Sequence, residues 1–302
     1  MQIADQLGML GLALLFYYHL VGSLSVPRKI LLWGVLVPLR FAVAVASGGI
    51  GPIIHCFLPF AGTYWIARHK WPWKTVLFFA LFTIPIQGVK GEYRAVAWGA
   101  ADLGLVEKVQ LYYQLVSDGF RNNDDFLVTS AQSTVRRVNQ VTTLCLVMDL
   151  TPALIPYWGG QTYVDLYWMF IPRFLYPNKP QKVMGQEFGH RYGVLGKFDR
   201  STSFNFPQIV ELYANFGPWG VLGGMFVIGL LLRVLHYVLS DPSSGPMGRL
   251  FAAVIYGSVC NIESDFSLVF GGLALNIVGV FIVLKILNAK RIHLPLDMLR
   301  FR

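Results

Sequence analysis

The stretch IPRFLYPNKP, residues 171–180, sets Arg173 and Lys179 among Pro172, Pro177 and Pro180. Pro172 fixes the backbone ahead of Arg173, and Pro177 and Pro180 restrict the residues after it, so little conformational entropy remains to be lost on binding. A guanidinium held in this way suits a bidentate contact with a phosphate or diphosphate. In VKGEYR, residues 89–94, Lys90 and Arg94 are four apart and share one face if the preceding helix continues, so both could reach one phosphate group. The alternative is an anchor to lipid headgroups or a salt bridge to Glu92. Arg40, inside LVPLRFAVAV, puts a charge where ionisation costs several kcal/mol unless it meets water, an anion or a partner. It either snorkels to the interface along its stem or serves a ligand. Arg136 and Arg137 add an adjacent cationic pair.

Two residues could move protons. His190 in EFGHRYG titrates near neutrality when unperturbed; the alternative is a loop histidine bonded to backbone. Glu211 in VELYANFG precedes an apolar run, where desolvation would lift its pKa into the range of a general base; the alternative is a helix-end carboxylate paired with an arginine. The chain has no HExxH, Walker loop, paired-acid nucleotide motif or GxSxG. No metal and no cofactor are therefore expected. Cys56, Cys145 and Cys260 are odd in number, lack CxxC spacing and sit in apolar surroundings, which reads as buried thiols.

These residues must be positioned by apolar helices. Apolar residues make up 55% of the chain and charged residues 14%, against roughly 25% charged in soluble domains. The mean hydropathy is +0.52. The fold class expected is all-α, a polytopic transmembrane helix bundle with spans near 7–26, 30–47, 51–67, 74–89, 217–239, 248–263 and 266–287. Lys and Arg in the short loops orient them. Arg28, Lys29, Arg68, Lys70, Lys74, Arg249 and the tail cations Lys285, Lys290 and Arg291 all fall on one side, which is then cytoplasmic. The net charge of +9 accords with this bias, and no nucleic-acid partner is expected.

Residues 1–302 then read as one membrane domain: four spans over 1–89, a long periplasmic loop region over 90–208, and three spans with a cytoplasmic tail over 209–302. Within the loop, 105–116 and 141–158 are amphipathic or apolar and are expected on or in the membrane surface. A full crossing by 141–158 would invert everything before it. The N-terminus has no basic region ahead of its apolar run, so the first span is expected to be retained. It also has no cation before that span, as in a chain that lacks upstream helices of a larger bundle.

Six pieces together resemble a known family: Arg136–Arg137, TPALIPYWGGQTY (151–163), IPRFLYPNKP (171–180), GQEFGHRYG (185–193), STSF (201–204) and ELYANFGPWGVLGG (211–224). VKGEYR fits beside them. The series is similar to the Wzy-type O-antigen and exopolysaccharide repeat-unit polymerases of bacteria, over roughly residues 75–235, with fewer spans than is usual there. The resemblance implies a multi-pass protein of the bacterial inner (cytoplasmic) membrane, bound to membrane lipid. It would transfer a growing glycan from undecaprenyl diphosphate to the hydroxyl of the next lipid-linked oligosaccharide unit. It implies substrate-binding roles for Arg173, Arg94, Lys90, Arg40, Arg136, Arg137 and Lys179, and sugar-stacking faces on Tyr157, Trp158, Tyr163, Tyr167 and Trp168. A partner protein that regulates chain length is expected from the family. An O-antigen ligase with His190 as base, or a transporter or flippase of lipid-linked oligosaccharide, is the alternative.

Overall fold

The computed structural model describes residues 2–97, 103–164, 166–169, 171, 176–178, 184–200, 202–239, 245–259, 263–273 and 277–279. Its regular elements are all helical, and no strand occurs among the described residues. Among the described residues, three helices are long and apolar enough to cross a membrane: Val26–Ala46, Ile50–Arg68 and Gln208–Leu239. They correspond to the expected spans at 30–47, 51–67 and 217–239. The expected span at 74–89 is helix α5, Trp73–Gly88, whose 16 residues make about 24 Å, short of the roughly 30 Å hydrocarbon layer. The first expected span is shifted: α1 covers Gln2–Leu20 and stops before Gly22, whose φ of 80° no helix continues through. Half of 266–287 lies outside the described residues.

The chain divides into two compact units. The first unit is built on Leu7–Asn139 and Arg249–Gly257. Segments α2 (Val26–Ile30) and α3 (Val37–Ala46) are joined by a π-helical turn, Leu31–Leu36. Pro38 explains the widening: it has no N–H for the carbonyl of Gly34, and its ring crowds that carbonyl. Helix α4 is Ile50–Arg68, and after α5 come α6 (Lys90–Ala97), α7 (Leu105–Asn122) and α8 (Phe126–Val138). The core gathers Ile53, Ile86, Tyr93, Tyr112 and Phe126, and the rings of Tyr93 and Tyr112 stack at 3.9 Å. Leu111, Leu115 and Val116 pack against the same core, so the apolar face of α7 is turned to protein, where a membrane-surface helix was expected.

The second unit is built on Met1–Gln6, Gln140–Gly248 and Ser258–Arg302. It contains α9 (Val141–Leu150), a 3-10 turn at Gln161–Tyr163, α10 (Leu166–Met169), α11 (Met184–Arg191), α12 (Gln208–Leu239) and a helix over 266–273. Its core is aromatic: Phe188 stacks on Phe206 at 4.2 Å, and Val147, Trp158 and Val210 close around them. Residues 141–158 do not form one helix long enough to cross a membrane: α9 has 10 residues, about 15 Å, and ends before Pro152. Cys56 is buried as expected, but Cys145 is exposed. It lies two residues from buried Val147 and so about 200° round α9 from the core. Cys260 lies outside the described residues.

Candidate functional site

The second unit places its polar residues through a break in α12. Gly217 has φ 67° and ψ −157°, a conformation essentially confined to glycine, and Pro218 opens the long apolar stretch beyond it. Gly220 and Gly224 then let the preceding segment fold back. A Cβ on Gly220 would lie 2.8 Å from the Leu212 carbonyl oxygen, and one on Gly224 2.7 Å from Leu212 Cδ1. Residues 208–216 are thus held beside the apolar stretch, and Glu211 and Asn215, one helical turn apart, share a face.

Asn215 is the hub. Its Oδ1 accepts from the Gly160 N–H at 2.9 Å, and its Nδ2 donates to Thr162 Oγ1 at 2.9 Å and to the Glu211 carbonyl at 2.8 Å. The Trp158 N–H donates to the Ala214 carbonyl at 3.0 Å and the Gly159 N–H to that of Asn215 at 3.2 Å. These bonds dock the glycine turn of YWGGQTY against α12, and Ser267 Oγ adds a 3.2 Å bond to the Thr162 carbonyl. Asn215, Thr162 and Ser267 are at most 1% exposed, so each bond replaces water that cannot reach it.

Glu211 is fully buried. Its Oε2 accepts the backbone N–H of Phe266 at 2.7 Å, while Asp265 Oδ1 accepts that of Leu268 at 3.0 Å. Two carboxylates therefore meet the first turn of the helix over 266–273, whose unpaired N–H groups and dipole favour negative charge. Tyr163 is near enough to feel both charges, stacked parallel to Phe216 at 6.2 Å and edge-on to Phe266 at 6.0 Å. Burial first, and then the charges of Glu211 and Asp265, push the Tyr163 phenol up, so it stays protonated. Its buried hydroxyl has no hydrogen-bond partner among the described residues.

A second cluster stands on α11. Arg191 donates from Nη2 to the Pro156 carbonyl at 2.6 Å and lies over the Trp158 ring, with Cζ 4.5 Å from the centroid. This cation–π contact fixes the plane of the guanidinium. The Thr151 and Tyr192 hydroxyls bond at 2.9 Å, and the Phe204 N–H donates to Gly185. His190 is half-buried, and its Nε2 has no hydrogen-bond partner among the described residues.

The residues anticipated from sequence fall into two groups. Glu211 and His190 belong to this unit; Arg173 and Lys179 lie outside the described residues. Arg40, Lys90, Arg94, Arg136 and Arg137 belong to the other unit. There the helix does not run on from α5 to Arg94: it breaks at Val89 and α6 starts at Lys90. Arg94 Nε donates to the Gly48 carbonyl at 2.9 Å and the Tyr93 hydroxyl to the Ala46 carbonyl at 2.6 Å. Both side chains brace the turn between α3 and α4. Arg40 is half-buried on α3 and Arg136 exposed near the end of α8, which also carries Arg137. Sequence reasoning did not single out Asn215, Asp265 or Arg191. The spacing of Asn215 four residues after Glu211 was the one available signal, since the partners of both are remote in the chain.

The all-helical architecture, the long apolar helices and the buried polar hub frame the comparison with known proteins. Residues 27–292 match the family described as Domain of unknown function (DUF8712), and the chain belongs to that family. No curated protein and no solved structure matches it.

Proposed function

We propose that the protein is a multi-pass inner-membrane polymerase that joins lipid-diphosphate-linked oligosaccharide units at the periplasmic face. In this reaction an acceptor hydroxyl oxygen bonds to the anomeric carbon of the donor glycan. The bond from that carbon to the carrier diphosphate breaks, the diphosphate leaves with the electron pair, and a base takes the hydroxyl proton. One observation supports the reading most: four of the six separate pieces that carry the sequence resemblance meet in one packed unit. TPALIPYWGGQTY, GQEFGHRYG, STSF and ELYANFGPWGVLGG are joined there by the hydrogen bonds of Trp158, Gly160, Arg191 and Phe204.

Within this reading the candidates carry different weights. Glu211, buried against a helix N-terminus, acts as a positioning residue more readily than as a base that must reach an acceptor. His190, half-buried and with an Nε2 that has no hydrogen-bond partner among the described residues, is the base in this reading. Arg191, planar beside Trp158, joins Arg173 as a cation for the leaving diphosphate. Arg94 is committed in part to Gly48, which lowers its claim. The ligase reading shares the donor and the base and differs in the acceptor, so product analysis separates them.

The test is complementation of a strain lacking its repeat-unit polymerase. The parent should restore a ladder of glycan lengths, Arg173→Ala should abolish it and Arg173→Lys should restore part. Glu211→Gln, which keeps an acceptor for the Phe266 N–H, should reduce output while leaving the protein folded. A full ladder from Arg173→Ala, or transfer onto a lipid A core in place of a ladder, would refute the assignment.

A further inference from the structure

The first unit contains a cavity of about 360 Å³ where the end of α5 meets α6, α7 and α8. Glu92, Asp118, Asn122, Ser130 and Ser133 line it, together with Phe126. We propose that this cavity binds an uncharged saccharide of one or two rings.

The lining chemistry selects this ligand. Two carboxylates with no lysine or arginine among the lining residues repel phosphate and diphosphate. A neutral polyol is different, because its hydroxyls donate to carboxylates in charge-assisted bonds and both donate to and accept from carboxamides and serines. Ser130, 1% exposed, stands at the back of the cavity where α8 packs on Gly88, and its Oγ has no hydrogen-bond partner among the described residues. Phe126 adds an apolar wall for the C–H face of a sugar ring, and its ring closes against Gly119, where an added Cβ would come within 2.7 Å of it. The volume lies at the lower end of small-molecule sites, near 300 Å³, which suits a hexose or a disaccharide. A divalent cation fits less well, since it asks for six or more oxygens at short range and a space this wide would leave it mostly hydrated.

The inference stands on the cavity alone; under the polymerase reading its occupant would be the sugar end of an acceptor. The test therefore measures binding and not turnover. The full chain is placed in nanodiscs free of glycoside detergent and probed by saturation-transfer NMR. The probes are glucose, galactose, rhamnose, N-acetylglucosamine, N-acetylgalactosamine and disaccharides of each. Transfer to at least one sugar is expected, about tenfold weaker affinity in Asp118→Asn, a loss of transfer in the cavity-filling Ser133→Phe, and no change in Lys197→Gln of the other unit. Circular dichroism and thermal melts of each variant check that it is folded. Transfer to no sugar, or transfer unchanged in both folded cavity variants, overturns the proposal. Calcium or magnesium bound in place of sugar and lost in Asp118→Asn overturns it as well, in favour of a cation site.

Discussion

Asn215→Leu should unlock the turn at 158–163 from α12 while leaving the side-chain volume nearly unchanged. The carboxamide makes three bonds of 2.8–2.9 Å, one accepted from Gly160 and two donated, to Thr162 and to the Glu211 carbonyl. Leucine leaves the Gly160 N–H without its acceptor and puts a hydrocarbon against Thr162 Oγ1. An unsatisfied buried group costs about 1–3 kcal/mol. The Glu211 carbonyl retains the accepting geometry of a helix, and the Thr162 hydroxyl can rotate, so the Gly160 amide dominates and the total is about 2–4 kcal/mol. The assay is reversible unfolding in mixed micelles, run as a double-mutant cycle with Thr162→Val. The coupling between the two positions should be about 1 kcal/mol, because one of Asn215's bonds is the one Thr162 loses. A coupling near zero, or an Asn215→Leu variant within about 0.5 kcal/mol of the parent, would refute the hub.

Gly217→Ala combines an unfavourable backbone with a Cβ 2.7 Å from the Tyr157 hydroxyl, and should cost about 1–3 kcal/mol in the same unfolding assay; recovery on adding Tyr157→Ala would assign that cost to the clash and not to the backbone. Gly88→Val should separate α5 from α8, since even a Cβ there lies 2.8 Å from Ser130 Cβ and 3.3 Å from its Cα; unchanged stability would show that the helices do not meet at this point. Burial pushes the Tyr112 phenol up to about 12, from an ordinary 10.0. Its folded state thus binds a proton that the unfolded chain releases, and the associated stability is complete below pH 10 and is lost as pH rises toward 12. Alkaline titration of tyrosine absorbance should accordingly show a late-ionising component that Tyr112→Phe removes. Arg191→Lys should weaken the α11 cluster by about 1 kcal/mol, because an ammonium cannot keep both the Pro156 bond and the flat contact with Trp158; stability equal to the parent would argue that charge alone matters.

Several elements were legible in the sequence for local reasons. The runs at 30–47 and 51–67 are helices because about 20 apolar residues in succession can satisfy their backbone only within the segment, and the structure has them at Val26–Ala46 and Ile50–Arg68. The exposure of Cys145 was not legible, since a short apolar helix gives no indication of which side meets the core. Nor was the inward face of α7: amphipathic periodicity states that one face seeks an apolar neighbour and is silent on whether lipid or protein provides it.

The candidate site divides along the same line. From the sequence come the residue types available for chemistry, the cations in and beside the apolar runs, the histidine of EFGHRYG and the carboxylate ahead of an apolar run. Tertiary structure alone decided what each is bound to. Glu211 meets the Phe266 amide across 55 residues of chain, Asn215 meets Gly160 across 55, and Ser267 meets Thr162 across 105. Arg94, which by spacing could have paired with Lys90 around an anion, donates to Gly48 across 46. Propensity and periodicity act over a few residues and so are written in the order of amino acids; the partner of a buried polar group is set by whichever backbone atom the packed core brings within about 3 Å of it.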